Sequence, residues 1–317
     1  MVEGNLASHE IGWIGTGRMG FRLVERLLNA NCDVAIYNRT RSKAEPLEAK
    51  GGKLVDSPAE LADRDIVFSI VAGDDDFRAV TIGPQGVLAQ DGAAPRVLID
   101  STTISASISA EVREVGAKAG TKLLAAPVSG NPKVVQTGKL SLVVSGPEEA
   151  WELAKPYLEV LGQRSTYVGD GDAARLAKIC HNLMLGVVAQ SMAEITVLAE
   201  KAGLQRAAFL DFLNHSVMGS VFTRYKTPAY VNLDYHPTFT PVLLRKDFDL
   251  GLEAARELDV PMPVSAGVHE IIQSLIGHGW TDTDFAVFLE HQARASGLTL
   301  EPENVAVSDG LDEGDTQ

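Results

Sequence analysis

A lysine, a histidine and an asparagine lie close together in a stretch whose apolar residues recur at helical spacing. Lys178 and Asn182 are four residues apart, with His181 between them. Residues four apart on a helix face the same way, so the pattern predicts one face that presents an amine, an imidazole and an amide. An amine can pass a proton to or from an alcohol oxygen near neutral pH when partial burial lowers its pKa. The alternative is a solvated surface charge, the usual state of a helical lysine.

Three closely spaced glycines form a second group of residues that could bind a ligand. Gly15-Thr-Gly17-Arg-Met-Gly20 follows a short apolar run directly and opens a helical pattern. In this context Gly15 allows a tight turn, Gly17 lets the backbone approach a pyrophosphate, and Gly20 allows helix and strand to pack closely. The helix N-terminus adds unpaired N–H groups and a positive dipole end. The motif predicts a dinucleotide site, and the alternative is three glycines in an ordinary turn.

The residues after the second apolar run indicate which dinucleotide binds. A carboxylate at this point would accept from the ribose 2′-hydroxyl of NAD and repel the 2′-phosphate of NADP. This chain has Asn38-Arg39-Thr40 instead. A guanidinium offers a planar fork that suits phosphate, and the neighbouring amide and hydroxyl can donate as well. NADP(H) is therefore the preferred cofactor, with NAD(H) as the alternative if Arg39 is only a solvated surface charge.

The elements that must position these residues begin with an alternation of short apolar runs and helical patterns. It runs from His9 to about Ser145 and predicts a doubly wound parallel sheet covered by crossover helices. Residues 1–170 are accordingly predicted to be an NADP-binding Rossmann domain. Ser42 and Ser57 each stand three residues before a glutamate, so helices are expected to start there. The apolar runs that are candidate strands are 11–14, 34–37, 66–71, 97–99, 123–125 and 140–144.

The character of the sequence changes in residues 171–300. Apolar residues recur at helical spacing in 173–202 and 242–258, which predicts an all-helical C-terminal domain. The segment 216–241, rich in aromatic residues, proline and glycine, is expected to be a loop with broken helix pieces. Residues 301–317 are acidic and polar without an apolar repeat, and we expect an acidic disordered tail.

Composition excludes several kinds of partner. The 317 residues carry a formal net charge of −14 without a clustered basic block, and such a chain is repelled by nucleic acids and anionic membranes. It has no uninterrupted apolar run of about 18 residues and no basic, apolar leader. These features predict a cytoplasmic protein that binds neither nucleic acid nor membrane. Cys32 and Cys180 have no metal-ligand spacing around them, so neither a metal site nor a disulfide is expected.

The motifs together resemble the β-hydroxyacid dehydrogenase family, which includes 3-hydroxyisobutyrate dehydrogenase and glyoxylate/succinic semialdehyde reductase. The resemblance covers roughly residues 10–298 and rests on motifs that occur in the same order. They are Gly12-Trp-Ile-Gly-Thr-Gly-Arg-Met-Gly20, Asp100-Ser-Thr-Thr-Ile104, Ala126-Pro-Val-Ser-Gly130 and Lys178-Ile-Cys-His-Asn182, with Lys246-Asp247 later. The fold that this family implies is a Rossmann domain followed by a helical domain for substrate binding and oligomerisation.

The resemblance also implies roles for single residues. Lys178 is the proton-transfer residue, and Asn182 holds the reacting oxygen. Ser129 and the backbone at Gly130 and Asn131 hold the substrate carboxylate, although a serine–glycine turn used only for its backbone freedom is the alternative. Three further residues are expected at the substrate: His181, Phe239 and Asp247, the last orienting Lys178 or closing the site.

The cofactor-binding residues are inferred partly from the glycine turn and the segment after the second strand, and partly from the resemblance. Thr103 is expected near the nicotinamide, and Lys246 is expected to reach the cofactor. The full set is Gly15, Thr16, Gly17, Arg18, Met19, Gly20, Asn38, Arg39, Thr40, Val71, Ala72, Thr103 and Lys246.

The implied reaction is hydride transfer between NADP(H) and a small 3-hydroxy acid or its semialdehyde, as in 3-hydroxyisobutyrate dehydrogenase. The substrate is a small-molecule carboxylate whose identity stays open, because Asn131-Pro132 stands where the family often has a second glycine and His181 replaces a common asparagine. One alternative is an NADPH-dependent imine reductase, which usually has aspartate or tyrosine at the lysine position. Another is a non-catalytic NADPH-binding dehydrogenase-like module. By resemblance, the protein is a homodimer or homotetramer.

Overall fold

A computed structural model describes residues 6–90 and 92–311. Its larger sheet has six strands in the order β3-β2-β1-β4-β5-β6, and all of its pairings are parallel. This is the strand order of a doubly wound dinucleotide-binding sheet, so the predicted Rossmann fold is confirmed. The strands are β1 Ile11–Ile14, β2 Val34–Tyr37, β3 Lys53–Leu54, β4 Ile66–Ser69, β5 Val97–Asp100 and β6 Lys122–Ala125.

The central strands are continuous apolar runs because helices cover both faces of the sheet. Every residue of β1, β4 and β5 is buried. Trp13 of β1 stacks on Phe68 of β4 with ring centroids 5.3 Å apart. The helices that accompany these strands are α1 Arg18–Asn29, α2 Asp74–Thr81, α3 Ala106–Ala119, α4 Pro132–Gln136 and α5 Glu148–Leu161.

Helical turns occur near both predicted starts, but they are short. The segments Arg41–Lys43, Glu45–Lys50 and Pro58–Leu61 are 3-10 helices. At the second start, Ser57 Oγ donates to Glu60 Oε1 (3.0 Å) and the backbone N–H of Asp56 donates to the same oxygen (3.2 Å). The serine oxygen therefore contacts the glutamate rather than a backbone N–H of the helix, unlike a capping box.

A second, smaller sheet follows the first. It contains β7 Val128–Ser129, β8 Ser141–Val144 and β9 Arg164–Tyr167, in the order β7-β8-β9. β7 is antiparallel to β8, and β8 is parallel to β9. The run 140–144 is thus a strand, as expected, but it does not belong to the large parallel sheet.

Within the described residues, the regular elements that follow β9 are all helical, as the sequence predicts. By its contacts the chain divides into two compact units at Lys178 and Ile179, whereas the sequence predicts a boundary at 170/171. The core of the second unit includes Met192, Leu210, Phe248 and Ile272. The helices are α6 Ala173–Lys201, α7 Arg206–His215, α8 Val221–Asn232, α9 Pro241–Glu257, α10 Pro263–Gly277 and α11 Phe288–Ala295, with a 3-10 helix at Phe285–Val287.

Within the described residues, α6 is the one helix long and apolar enough to cross a membrane by length and composition. Of its most apolar window, 56% is buried inside the protein. A core helix of a soluble protein has the same properties, so this feature is weak evidence for a membrane span.

The prediction of a loop with broken helix pieces at 216–241 is wrong for its centre. Residues 221–232 form α8, although Pro228 lies inside it. The helix starts with a capping box, in which Ser220 Oγ accepts from the N–H of Thr223 and Thr223 Oγ1 accepts from the N–H of Ser220. Its buried residues include Tyr230 and Val231. A good cap and a buried face therefore outweigh one proline.

The prediction of a disordered tail does not hold for residues 301–311. The carboxylate of Glu303 accepts from the backbone N–H groups of Arg206 (2.6 Å) and Ala207 (3.0 Å), where α7 begins. The residue before α7, Gln205, makes no side-chain cap, so the distant carboxylate caps this helix, and Leu311 is buried. The remaining tail residues, 312–317, lie outside the described residues.

Candidate active site

The glycine turn has the geometry that its motif predicts. Gly15 has a positive φ of 97°, and a Cβ there would lie 2.2 Å from the carbonyl oxygen of Ile70. A Cβ on Gly20 would lie 2.1 Å from the carbonyl oxygen of Gly15, whereas a Cβ on Gly17 would meet nothing within 4 Å. Two of the glycines are therefore required by close packing, and the third leaves open space beside the backbone.

The same turn fits a bound dinucleotide. The hydroxyl oxygen of Thr16 is buried and has no hydrogen-bond partner among the described residues, so a polar ligand group would satisfy it. α1 begins at Arg18 with Gly17 as its N-cap and no side-chain cap. A helix leaves its first N–H groups without intrahelical partners, and such a terminus favours phosphate. Arg18, Met19 and Gly20 form this first turn.

Asn38 connects the two loops of the predicted cofactor site. Its Oδ1 accepts from the backbone N–H of Thr16 (2.8 Å), and its Nδ2 donates to the carbonyl of Thr40 (2.8 Å). The amide thus fixes the loop after β2 to the glycine turn, a positioning role that the sequence interpretation did not assign. Arg39 and Thr40 are exposed, and Arg39 Nη1 lies 2.6 Å from Asp76 Oδ1.

The loops after β4 and β5 are organised by a buried carboxylate. Asp100, at the end of β5, is fully buried, and its Oδ1 accepts from Ser69 Oγ (2.8 Å) and Thr102 Oγ1 (2.7 Å). Thr102 Oγ1 in turn accepts from the backbone N–H of Val71 (3.0 Å). Two residues of the predicted cofactor site are next to these contacts along the chain: Ala72 follows Val71, and Thr103 follows Thr102.

Arg175 completes this network, a role that no sequence motif indicates. Its Nη2 lies 2.9 Å from Asp100 Oδ2, its Nη1 donates to the carbonyl of Thr102 (2.8 Å), and its Nε donates to Ser109 Oγ (3.3 Å). An arginine in an amphipathic helix ordinarily has its charged end in water, whereas this side chain is 8% exposed. Arg175 lies one turn before Lys178 on α6, so the network ties the start of that helix to the loop that carries Thr103.

The predicted carboxylate-binding residues lie at the end of β7 and directly after it. Ser129 is half-buried and pairs with Ser141 of β8, in the small sheet. Gly130 has a positive φ of 143°, and a Cβ there would lie 2.7 Å from Val134 Cγ1. Asn131 caps α4, because its Oδ1 accepts from the N–H of Val134 (3.0 Å). Gly130 is thus required for its backbone, and the side chain of Asn131 has a structural partner.

The polar residues of α6 have defined contacts. Lys178 is half-buried and His181 is exposed, with His181 Nδ1 lying 2.9 Å from Asn182 Oδ1. Asn182 Nδ2 donates to Asp247 Oδ2 (2.5 Å), and both of these residues are buried. Asp247 thus orients the amide of Asn182, a contact that the sequence interpretation did not assign. Lys246, its neighbour on α9, is half-buried.

A buried ion pair supports the segment that carries Phe239. Asp284 Oδ2 accepts from the backbone N–H groups of Thr238 (3.0 Å) and Phe239 (3.3 Å), and its Oδ1 lies 2.6 Å from Lys226 Nζ. Burial would raise the pKa of Asp284, but Lys226 and the hydrogen bonds outweigh it and hold that pKa below its ordinary value. Phe239 also contacts Phe285 edge-on, with ring centroids 6.0 Å apart. The sequence interpretation missed this support, because Lys226 and Asp284 are 58 residues apart.

The structure therefore joins the predicted site residues into separate local groups. The first unit holds the glycine turn with residues 38–40, the loops after β4 and β5, residues 129–131, and Lys178. The second unit holds Asn182 with its two neighbours His181 and Asp247, and Phe239 with its supporting pair. The sheet order and the glycine turn define a dinucleotide-binding oxidoreductase fold.

Comparison with known proteins identifies the family. One family model, the NAD binding domain of 6-phosphogluconate dehydrogenase, matches residues 10–169. A second, the NAD-binding domain of NADP-dependent 3-hydroxyisobutyrate dehydrogenase, matches residues 171–291. Glyoxylate/succinic semialdehyde reductase 1 of Arabidopsis thaliana is 31% identical over 284 residues, which are 89% of this chain and 97% of the relative.

Solved structures support the same family assignment. The 3-hydroxyisobutyrate dehydrogenase of Salmonella typhimurium superposes with a TM-score of 0.79 at 25% identity, over 89% of this chain and 99% of that one. Psf3 in complex with NADP+ and 2-OPP superposes with a TM-score of 0.78 at 25% identity, with the same coverage. The chain belongs to the β-hydroxyacid dehydrogenase family. It is an NAD(P)-binding oxidoreductase of the 3-hydroxyacid and semialdehyde dehydrogenase type.

Proposed function

We propose that this protein reduces a small semialdehyde, or oxidises the corresponding 3-hydroxy acid, with NADP(H) as the preferred cofactor and Lys178 as the proton-transfer residue. The observation that carries the proposal is the arrangement on α6. Lys178 is half-buried and lies four residues before Asn182, whose amide is fixed by the buried carboxylate of Asp247. An amine one helical turn away from a positioned amide suits a carbonyl or alcohol oxygen.

The nicotinamide cofactor supplies hydride chemistry when it is bound. In the direction of reduction, Lys178 Nζ gives a proton to the oxygen that becomes the hydroxyl. In the direction of oxidation, the same nitrogen accepts that proton. Asn182 can hold this oxygen through its amide, since its orientation is set by Asp247 on one side and His181 on the other. Phe239 supplies an apolar wall, and the Lys226–Asp284 pair fixes the backbone beside it.

A substrate carboxylate would bind at Ser129 and the backbone of Gly130 and Asn131. This assignment follows the family resemblance. It is supported by the conformation of Gly130, whose positive φ excludes other side chains, and by the cap that holds the Asn131 side chain in place. The serine hydroxyl and the adjacent N–H groups are donors of the kind that carboxylates accept.

The preference for NADP(H) rests on the segment after β2. Arg39 and Thr40 are exposed there, and the segment 38–40 carries no carboxylate. Asn38 holds the segment against the glycine turn, so a guanidinium and a hydroxyl are presented beside the predicted dinucleotide site. Thr103 and Lys246 are proposed at the nicotinamide end, by resemblance.

The test is a substrate screen with NADPH and NADH. We expect reduction of small carboxylated semialdehydes with NADPH, with kcat/KM higher than with NADH, and negligible reduction of cyclic imines. Turnover of imines alone would support an imine reductase. Tight NADPH binding with no turnover of any carbonyl or imine substrate would support a non-catalytic binding module. Either result would overturn the proposed reaction.

We also propose a homodimer or homotetramer in the cytoplasm. Helices of the second unit expose large apolar side chains, among them Leu198 and Phe212 at 70% and Val264 at 61%, and burial of such groups favours association. Sedimentation should show a species of two or four chains. A stable monomer at micromolar concentration would contradict this.

A further inference from the structure

The structure assigns to Asp76 a role in cofactor selectivity, and we propose that it weakens the binding of NADP(H) relative to NAD(H) by holding Arg39. This inference rests on the proposed function, in which Arg39 binds the 2′-phosphate of NADP(H). Asp76 Oδ1 lies 2.6 Å from Arg39 Nη1. The carboxylate comes from the first turn of α2, after β4, and the guanidinium comes from the loop after β2. The two residues are 37 positions apart, so the sequence does not reveal their contact.

The first turn of α2 carries three aspartates with different surroundings. Asp74 accepts from the backbone N–H of Ser105 (3.0 Å) and from Ser105 Oγ (2.5 Å). Asp75 is exposed, whereas Asp76 is half-buried and contacts Arg39. Of the three, Asp76 is the one in contact with the predicted phosphate-binding arginine.

Asp76 affects the two cofactors differently. The 2′-phosphate of NADPH requires the guanidinium fork that Asp76 already occupies in part, and a carboxylate within a few ångströms repels a phosphate. The ribose of NADH carries a hydroxyl instead, which can donate to a carboxylate. Asp76 therefore acts as the acidic residue at the end of the second strand does in NAD-dependent enzymes, but from a different loop. Because exposed ion pairs are weak, a phosphate can displace Asp76, and the resulting selectivity is graded.

The test measures cofactor binding directly. The dissociation constants of NADPH and NADH are determined by calorimetric titration for the wild type, Asp76→Asn and Asp75→Asn. Asp75→Asn is the matched control, since it removes the same charge from the adjacent position. We expect Asp76→Asn to tighten NADPH binding about fivefold, the change that loss of one exposed charge contact would give. The NADH constant should stay equal or weaken, and Asp75→Asn should change either constant by less than about twofold.

A double variant shows whether the effect acts through Arg39. In the Arg39→Ala background, Asp76→Asn should no longer tighten NADPH binding more than Asp75→Asn does. Equal effects of the two aspartate variants in the wild-type background would overturn the proposal, as would a specific Asp76 effect that persists without Arg39. If Arg39→Ala leaves NADPH affinity unchanged, the assignment of Arg39 to the phosphate also fails. If NADPH affinity falls in Arg39→Ala but does not change in Asp76→Asn, the Asp76 proposal alone is overturned.

Discussion

Arg175 and Asp100 form an ion pair inside the first unit, with Arg175 Nη2 2.9 Å from Asp100 Oδ2 and side chains that are 8% and 0% exposed. The pair connects the first turn of α6 to the end of β5. Arg175 also donates to the carbonyl of Thr102, which precedes Thr103. The helix that carries Lys178 is thereby held to the loop predicted to lie beside the nicotinamide.

Arg175→Met should lower the free energy of unfolding by about 3–5 kcal/mol, because the carboxylate of Asp100 would stay buried without its counter-charge. Urea denaturation followed by circular dichroism measures this loss. The double variant Asp100→Asn/Arg175→Met should lose less than the sum of the two single losses, since no uncompensated charge remains. Additive losses would show that the two side chains do not interact.

The Lys226–Asp284 pair gives a prediction about substrate binding. Asp284→Ala removes the carboxylate that accepts from Thr238 and Phe239, whereas Lys226→Met leaves those hydrogen bonds in place. Both variants should be destabilised, each by about 3–5 kcal/mol, because each breaks a buried pair. Asp284→Ala should in addition raise KM for the semialdehyde more than Lys226→Met does. An equal rise in KM would mean that Asp284 does not act through the segment of Phe239.

A histidine in the second unit makes the stability depend on pH. Burial lowers the pKa of His291 below its ordinary value of 6.5, and the charges of His278 and Arg294 lower it further. The unfolded chain then binds a proton at a higher pH than the folded chain does, so stability falls as pH decreases below about 7. Urea denaturation at pH 7.5 and pH 5.5 should show a larger loss for the wild type than for His291→Gln. Equal losses of stability in the wild type and in His291→Gln would contradict the predicted direction of this pH dependence.

Local patterns in the sequence predict the parts of the fold that depend on neighbours along the chain. The glycine turn and the strands β1, β2, β4 and β5 were predicted, because each is a short buried run followed by a helix. β3 is not predicted, since its two residues, Lys53 and Leu54, are too few to carry a periodic signal. α8 was missed because the aromatic residues and Pro228 suggested a loop, while its capping box is a signal that could have found it.

Contacts between distant residues were not predictable from one sequence. Glu303 was assigned to a disordered tail, although it caps α7. No pattern in the sequence indicates the role of Arg175, because its partner Asp100 lies 75 positions earlier. The types of the predicted site residues came from motifs, whereas the partners that orient them, such as Asn38 with Thr16 and Asn182 with Asp247, became visible only in the structure.

The central claim is that Lys178 transfers the proton. Its most direct test is single-turnover reduction of the preferred semialdehyde by Lys178→Ala saturated with NADPH, beside a calorimetric measurement of NADPH binding. We predict that the rate falls by a factor of about 10² to 10⁴, with NADPH affinity within about threefold of the wild type. Cys180→Ala, an exposed position on the same helix, serves as the control and should keep the wild-type rate. A Lys178→Ala rate close to that of the wild type would contradict the account.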